Sequence, residues 1–196
     1  MATAIALADA DGLAAVSMRG VAAALGTSGG SLYRYLSSRD DLLDLMTDAA
    51  VGELRPYARE GDVVEPAWLA EMLAVGRRQL DLYRRHPWLL DVLERPTGIG
   101  PEGLAWFDNC LRILEPLPCA VTVKLEAIAM MTGVVSLVAR SERATPSLSL
   151  AGVDLATLPH LAAAFTQPPG PAPQEDLLER VLRVLLTGML DGALPR

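Results

Sequence analysis

Ser17-Met-Arg-Gly-Val-Ala-Ala-Ala-Leu-Gly26-Thr-Ser-Gly-Gly-Ser-Leu-Tyr-Arg-Tyr35 is the stretch on which the reading of this chain turns. Ser17 is a good N-cap, and Val21, Ala22 and Leu25 fall on one face of the helix it opens. Gly26 supplies the positive φ that a tight turn needs, and Leu32 and Leu36 restore an apolar face in a second short helix. Two short helices joined in this way have helix-turn-helix spacing. In such a unit the second helix enters the DNA major groove and the first crosses the backbone. Ser31, Tyr33, Arg34 and Tyr35 then lie near the duplex, with Arg19 facing it from the first helix. A helical hairpin with no ligand has the same spacing, so the aromatic and basic residues decide. Tyr33 and Tyr35 stand two apart and cannot both face one core, and a hydroxyl left outside beside arginines suits phosphate oxygens.

Outward from that stretch, Ser38-Arg39-Asp40-Asp41 forms a capping box with two acids on the first turn of the next helix. Arg39 stands at the positive end of that helix, placed for a phosphate, as is Tyr33. Gly29 and Gly30 have no side chain to read bases, so Thr27, Ser31 and Arg34 must supply whatever Arg19 does not, with Ser28 beside them. The whole chain carries a net charge of −7, from 17 basic and 24 acidic residues. That balance argues against nucleic acid, which demands a basic surface. Residues 17–39 nevertheless hold three arginines and no acid, while Asp40, Asp41, Asp44 and Asp48 crowd in just after. A local basic surface survives on an acidic protein.

The run Ser17-Met18-Arg19, Leu25-Gly26, then Ser31 to Leu43 resembles the DNA-binding domain of the TetR family of one-component transcriptional regulators. The likeness covers about a quarter of the chain, and its Leu-Tyr-x-Tyr/His-x-x-x-Lys/Arg-x-x-Leu pattern joins core, phosphate and cap requirements at fixed offsets. It implies a homodimer whose two recognition helices occupy successive major grooves of double-stranded DNA. His86-Pro87-Trp88-Leu89, Gly100-Pro101-Glu102-Gly103-Leu104 and the ending from Leu186 to Gly192 resemble the ligand-binding domain of the tetracycline-repressor type, in the family's order. There are two departures. The family's metal-coordinating His and Thr fall on Leu93 and Pro96, so a magnesium–tetracycline ligand is not supported and no metal or other cofactor is expected. The opening Met1-Ala2-Thr3-Ala4 holds no Lys or Arg, so the basic N-terminal arm of many members is not expected.

The rest of the chain supports an all-α fold. It is 51% hydrophobic but only 5% aromatic, rich in Ala and Leu, and no segment alternates with period two long enough to be a strand. Proline and glycine cut it into helices at about 2–10, 18–25, 29–36, 39–55, 66–86, 87–94, 101–115, 119–142, 154–166 and 174–192. Pro56 through Pro66, with Gly61 and three acids between, marks the seam between a DNA-binding domain at 1–56 and a ligand-binding and dimerisation domain at 66–196. Residues 166–173 read as an extended linker.

Within the second region, Trp68, Met72, Trp106, Phe107, Cys110, Met130 and Met131 are the apolar or soft residues expected to line its interior, with Asn109 and Thr132 to orient a ligand. Plain core would contain the same residues. In the last helix the polar stripe Asp176, Glu179, Arg180, Arg183, Thr187 and Asp191 leaves an apolar face too wide for one contact. Helix 119–142 carries Ala129, Gly133 and Ser136, small enough for close approach. These two helices are therefore expected to pair with their symmetry mates in a four-helix bundle, with Val181, Leu185 and Met189 in the interface.

Other readings are weaker. Gly26-Thr27-Ser28-Gly29-Gly30 matches the Gly-x-Ser-x-Gly elbow of hydrolases, with Asp154 and His160 in the right order, but such an elbow must follow a strand. No enzyme is expected. Cys110 and Cys119 have only Arg112 nearby to lower a thiol pKa and read as inert. His86 reads as a helix cap. The apolar run Ala127–Ala139 is too short and too interrupted to span a bilayer and reads as a buried core helix. The opening lacks the charged start of a secretory signal, so the cytoplasm is the expected compartment. The expected function is a homodimeric repressor released from a palindromic operator by a small, largely apolar effector. The alternative is a helical small-molecule-binding or protein-interaction module without DNA binding.

Overall fold

A computed structural model describes residues 1–57, 66–93, 95, 98–144, 153, 155–166, 168, 170 and 176–190, with the backbone alone at Ser31 and Ala156. Among these residues every regular element is helical. The order is α1 Ala2–Asp11, α2 Met18–Ala24, α3 Gly29–Leu32, α4 Arg39–Val51, α5 Ala67–Arg85, α6 Leu89–Val92, α7 Pro101–Leu114, α8 Val121–Arg143, α9 Pro159–Thr166 and α10 Leu177–Leu190. Single 3-10 turns fall at Leu13–Ala15, Gly52–Leu54 and Leu155–Thr157.

The caps read from the sequence are made. Ser17 Oγ accepts from Gly20 N at 3.0 Å, and Gly26 turns the chain with φ 65°. Ser38 Oγ accepts from Asp41 N at 3.0 Å while Asp41 Oδ2 accepts from Ser37 N at 2.9 Å, closing the capping box at the start of α4. Several helices are shorter than the sequence suggests. The expected helix at 29–36 ends at Leu32, since Gly29 and Gly30 are poor helix formers. Leu36 still reaches the core, from a turn in which Tyr35 N and Leu36 N both donate to Leu32 O. The expected helix at 39–55 ends at Val51 and tightens into the 3-10 turn. The expected helix at 154–166 begins as a 3-10 turn and becomes α9 only at Pro159.

One apolar core runs from Ala4 and Ala8 of α1 through Leu42, Leu43 and Met46 of α4 to Leu186 and Leu190 of α10. The long helices α5, α8 and α10 pack on one another, and α7 closes the side facing α4. Contrary to the expectation of a wholly buried helix, α8 buries only one side, through Ala127, Ile128, Met131, Val135 and Ala139. Its outer side exposes Val121, Leu125, Met130 and Leu137, and α10 likewise exposes Leu177, Val181 and Val184. Among the described helices α8 alone is long and apolar enough to cross a membrane by length and composition.

His86 closes the joint between the two ends of the molecule. Its Nδ1 lies 2.8 Å from Asp9 Oδ1 of α1 and its Nε2 3.2 Å from Glu53 Oε1. Trp88 Nε1 donates to the same Asp9 oxygen at 2.8 Å. His86 is the C-cap of α5, as expected, its N–H donating to Leu82 O at 2.8 Å, and its side chain also clasps α1 to the junction of α5 and α6.

Candidate nucleic-acid interface and internal cavity

The turn after α2 brings the predicted contact residues to one end of the chain. Arg19, Thr27, Ser28 and Arg34 are exposed, and so are Tyr33 at 60% and Tyr35 at 82%. The side chain of Ser31 lies outside what the structure describes. Two exposed phenols and two exposed arginines, in the stretch 17–39 that holds no acid, can donate to phosphate and to base edges. Arg39 is different. It is half-buried, its Nε donates to Val16 O at 2.7 Å and its Nη2 to Leu13 O at 2.8 Å. The guanidinium therefore ties the start of α4 to the loop between α1 and α2. Nε and Nη2 are thereby used within the chain, a role that its place at the helix end did not reveal.

Behind this end, α4, α5, α6, α7 and α8 enclose a cavity of about 380 Å³. Trp106, Phe107 and Thr132 line it, as the sequence suggested. Trp106 and Phe107 meet edge to face with ring centroids 5.0 Å apart. The remaining candidates lie elsewhere. Met72, Cys110 and Met131 are fully buried core, and Met130 is 49% exposed on the outer side of α8. Trp68 borders a separate surface groove with Glu71 and Arg112. Asn109 is turned away from the cavity, its amide oxygen accepting from Arg112 Nη2 at 3.0 Å. It faces a wider, more open groove with Arg55, Tyr57 and Arg112; the space against α4 is smaller, more apolar and more enclosed.

Sequence reasoning missed the cavity's contribution from α4 and α5: Thr47, Asp48 and Val51 on the first, Gln79, Leu82 and Tyr83 on the second. The available signal was Gln79 itself, an amide at four residues from Tyr83 on an otherwise apolar face. Gln79 Nε2 donates to Tyr83 OH at 3.0 Å, and burial pushes the Tyr83 phenol above its ordinary pKa. Gln79 Oε1 and Trp106 Nε1 are buried without a partner. Leu93 presents an apolar side chain to the cavity where the resembling family places a metal-binding His, and Pro96 lies outside the described residues.

One face of α4 connects the cavity to the exposed patch. Asp40, Asp44 and Asp48 recur every four residues and so share a face. Asp40 pairs with Arg95, Asp44 Oδ2 accepts from Gly98 N at 3.4 Å, and Asp48 Oδ1 accepts from Glu102 N at 2.9 Å and Gly103 N at 3.0 Å. The last two bonds cap the start of α7. Gly100 is required there, because a Cβ would lie 2.4 Å from Asp48 Oδ1. The segment gripped by the three aspartates supplies Leu93, Gly98, Ile99, Gly100 and Gly103 to the cavity wall.

Of the residues expected between subunits, Ala129, Gly133 and Val181 are exposed, whereas Leu185 and Met189 are half-buried against their own core. Ser136 is half-buried, its Oγ donating to Thr132 O of its own helix at 2.8 Å. Ser28 follows the helix α2 and not a strand, so no nucleophile elbow forms; His160 is exposed on α9, and Asp154, Gly61, Asp191, Gly192 and most of the linker at 166–173 lie outside the described residues. Burial raises the Cys110 thiol to about 12, against a weaker opposing pull from Arg112.

Residues 1–46 match the family described as bacterial regulatory proteins, tetR family. The chain is 40% identical over 139 residues to the HTH-type transcriptional repressor DrrR1 of Streptomyces coeruleorubidus, covering 71% of this chain and 50% of that protein. It is 33% identical over 105 residues to an HTH-type transcriptional regulator of Saccharopolyspora erythraea, covering 54% and 43%. It thus spans about half the length of the curated relatives it matches. In fold it is similar to the Streptomyces coelicolor TetR family protein ActR in complex with actinorhodin, with TM-score 0.76, 24% identity and coverage of 98% and 93% of the two chains. The transcription regulator SCO7704 of the same source superposes with TM-score 0.70 at 26% identity, covering 100% and 94%.

Proposed function

Because its first 46 residues make this chain a member of the bacterial tetR family, we propose that it is a homodimeric, cytoplasmic DNA-binding repressor released from a palindromic operator by a small, largely apolar molecule. The observation that carries this reading is α4: one helix begins beside the exposed Tyr33–Tyr35 patch, ends in the wall of the cavity, and holds the intervening loop through Asp40, Asp44 and Asp48.

The mechanism is a shift of population. An effector that fits the cavity better when the loop before α7 moves outward draws α4 with it, through the bonds of Asp44 and Asp48. The two α3 helices of the dimer then lose the spacing of successive major grooves, about 34 Å. Release follows from the differential affinity of the effector for the two arrangements alone. The exposed apolar sides of α8 and α10 support pairing with a second copy in a four-helix bundle, since a patch of this kind is costly to leave in water. The chemistry supports a division of labour in which Arg19, Thr27, Ser28, Ser31 and Arg34 read bases while Tyr33 and Tyr35 hold phosphates.

Selection from a random duplex library, at low and then moderate salt, tests the reading. An operator binder enriches an inverted repeat whose affinity stands above the steep nonspecific salt dependence. Enrichment of no sequence would favour a helical binding module without DNA.

A further inference from the structure

We propose that His86 is a pH-sensitive latch, its doubly protonated ring joining Asp9 of α1 to Glu53 just beyond α4 and letting go of Glu53 when it loses a proton. Both ring nitrogens face a carboxylate oxygen: Nδ1 lies 2.8 Å from Asp9 Oδ1 and Nε2 3.2 Å from Glu53 Oε1. A carboxylate offers only acceptors, and a neutral imidazole carries one N–H whichever its tautomer. In a neutral ring one of the two contacts would set a bare nitrogen lone pair against an oxygen lone pair. Only the imidazolium donates to both.

The surroundings fit that charge. The side chains of Asp9 and Glu53 are 31% and 40% exposed, so each carboxylate keeps water on its outer side and can stay ionised. Arg85 Nη2 donates to Glu53 Oε2 at 3.1 Å, so two acids meet two cations in the joint. Trp88 Nε1, which shares Asp9 Oδ1 with the ring at 2.8 Å, brings no charge. From α8, Arg143 Nη1 donates to Pro87 O at 3.2 Å and is the cation that opposes the ring's. His86 also ends the 19-residue helix α5, whose last carbonyls favour a positive group.

Loss of one proton is uneven in its effect. Nδ1 has the shorter contact, so the neutral ring keeps that N–H for Asp9 and turns a bare Nε2 toward Glu53. The hold on α1 survives, and Arg85 alone is left on Glu53. The bond from Nε2 is thus present at low pH and lost as the pH rises through the titration of the ring. Because α4 begins beside the exposed tyrosines and runs into the turn that carries Glu53, its release loosens the hold on the recognition helix. The latch itself does not need the repressor reading; its effect on the operator rests on it.

The test follows the ring nitrogens of the full chain by NMR from about pH 5 to pH 9. The chain has two histidines, so His160→Gln leaves one ring in the spectrum. Both N–H groups should be seen at the low end, with Nε2 losing its proton and Nδ1 keeping it as the pH rises. Glu53→Gln should lower the pH at which that proton leaves. Operator affinity of the native chain should fall about three- to tenfold from the low end to the high, while His86→Gln shows no such fall. Glu53→Gln should also flatten the profile, because its amide can accept from the charged ring and donate to the bare Nε2 of the neutral one. A ring that stays neutral throughout, a proton lost from Nδ1 instead, a titration unmoved by Glu53→Gln, or an operator profile that survives His86→Gln would overturn the proposal. A chain that selects no operator loses the repressor reading, and the latch then stands or falls on the ring spectra alone.

Discussion

The two ends of the molecule use the same residue types in opposite ways. At the α2–α3 end, short helices with local caps hold aromatic and basic side chains out of the core, and Tyr33, Arg34 and Tyr35 are exposed in succession. Around the cavity, long helices bring Thr47, Tyr83, Trp106 and Thr132 together from four elements into one wall. The first arrangement is made by neighbours in sequence and is ready for a large, charged partner. The second exists only when the helices have packed, and fits a small apolar one. The difference teaches where communication must lie, since α4 is the element that belongs to both.

The largest effect should come from the outer side of the long helices. Leu137 and Val184 are 67% and 69% exposed, so Leu137→Glu or Val184→Glu leaves the single chain folded. In a dimer each change buries an unpaired charge on both subunits, costing about 3 kcal/mol or more. Sedimentation should show monomers, and operator affinity should fall at least about a hundredfold with every DNA-contacting residue intact. A variant still dimeric would break the account of this face. Leu185, expected in the same interface, is a poorer probe because it already packs against its own core.

Arg39 and Arg19 separate the internal use of arginine from the external. Arg39→Ala leaves the carbonyls of Leu13 and Val16 without donors and should lower stability by about 2–3 kcal/mol, read as an earlier melt. Arg19→Ala should leave the melt unchanged, cost about 1–3 kcal/mol of operator binding and relax one base pair per half-site. Equal weakening on every sequence would assign Arg19 to the backbone instead. Tyr33→Phe, which removes one hydroxyl from a phosphate, should weaken specific and nonspecific binding alike by about 1 kcal/mol.

The smallest effect is on acid stability. The bond from Ser38 and then that from the Ser37 amide hold the Asp41 carboxyl below its usual 3.8, and the Arg84 guanidinium does the same for Glu142. A carboxyl lowered in the folded state contributes stability that is present above its unfolded pKa and lost as pH falls through the folded value. The first turn of α4 should therefore fray below about pH 4, seen as faster exchange of its amides, while α2, capped by the uncharged Ser17, should not change.

This asymmetry also explains what the sequence made legible. Ser17, Gly26, Ser38 and Asp41 act within four residues of themselves, so the helix-turn-helix could be read from spacing. The internal bonds of Arg39 were not legible because the carbonyls it meets lie 23 and 26 residues away. The stripe of Asp40, Asp44 and Asp48 was visible as a run of acids, but its partners stand 54 or 55 residues on. Met72 and Met131 resemble pocket residues in type and become core only through the packing of α5, α8 and α10. Gln79 was overlooked because a lone amide on a helix is ordinary until both of its ends are accounted for.

The coupling through α4 is tested most directly by the doubly substituted chain Asp44→Ala, Asp48→Ala, compared with the native chain for affinity to a selected operator and to random duplex at moderate salt. Both substitutions lie away from the exposed patch and remove bonds to the loop before α7 and to the first turn of α7 alone. The account predicts a folded dimer whose affinity for random duplex is unchanged and whose operator affinity falls about tenfold, because the two recognition helices are no longer held at the groove spacing. Operator affinity equal to that of the native chain would contradict it.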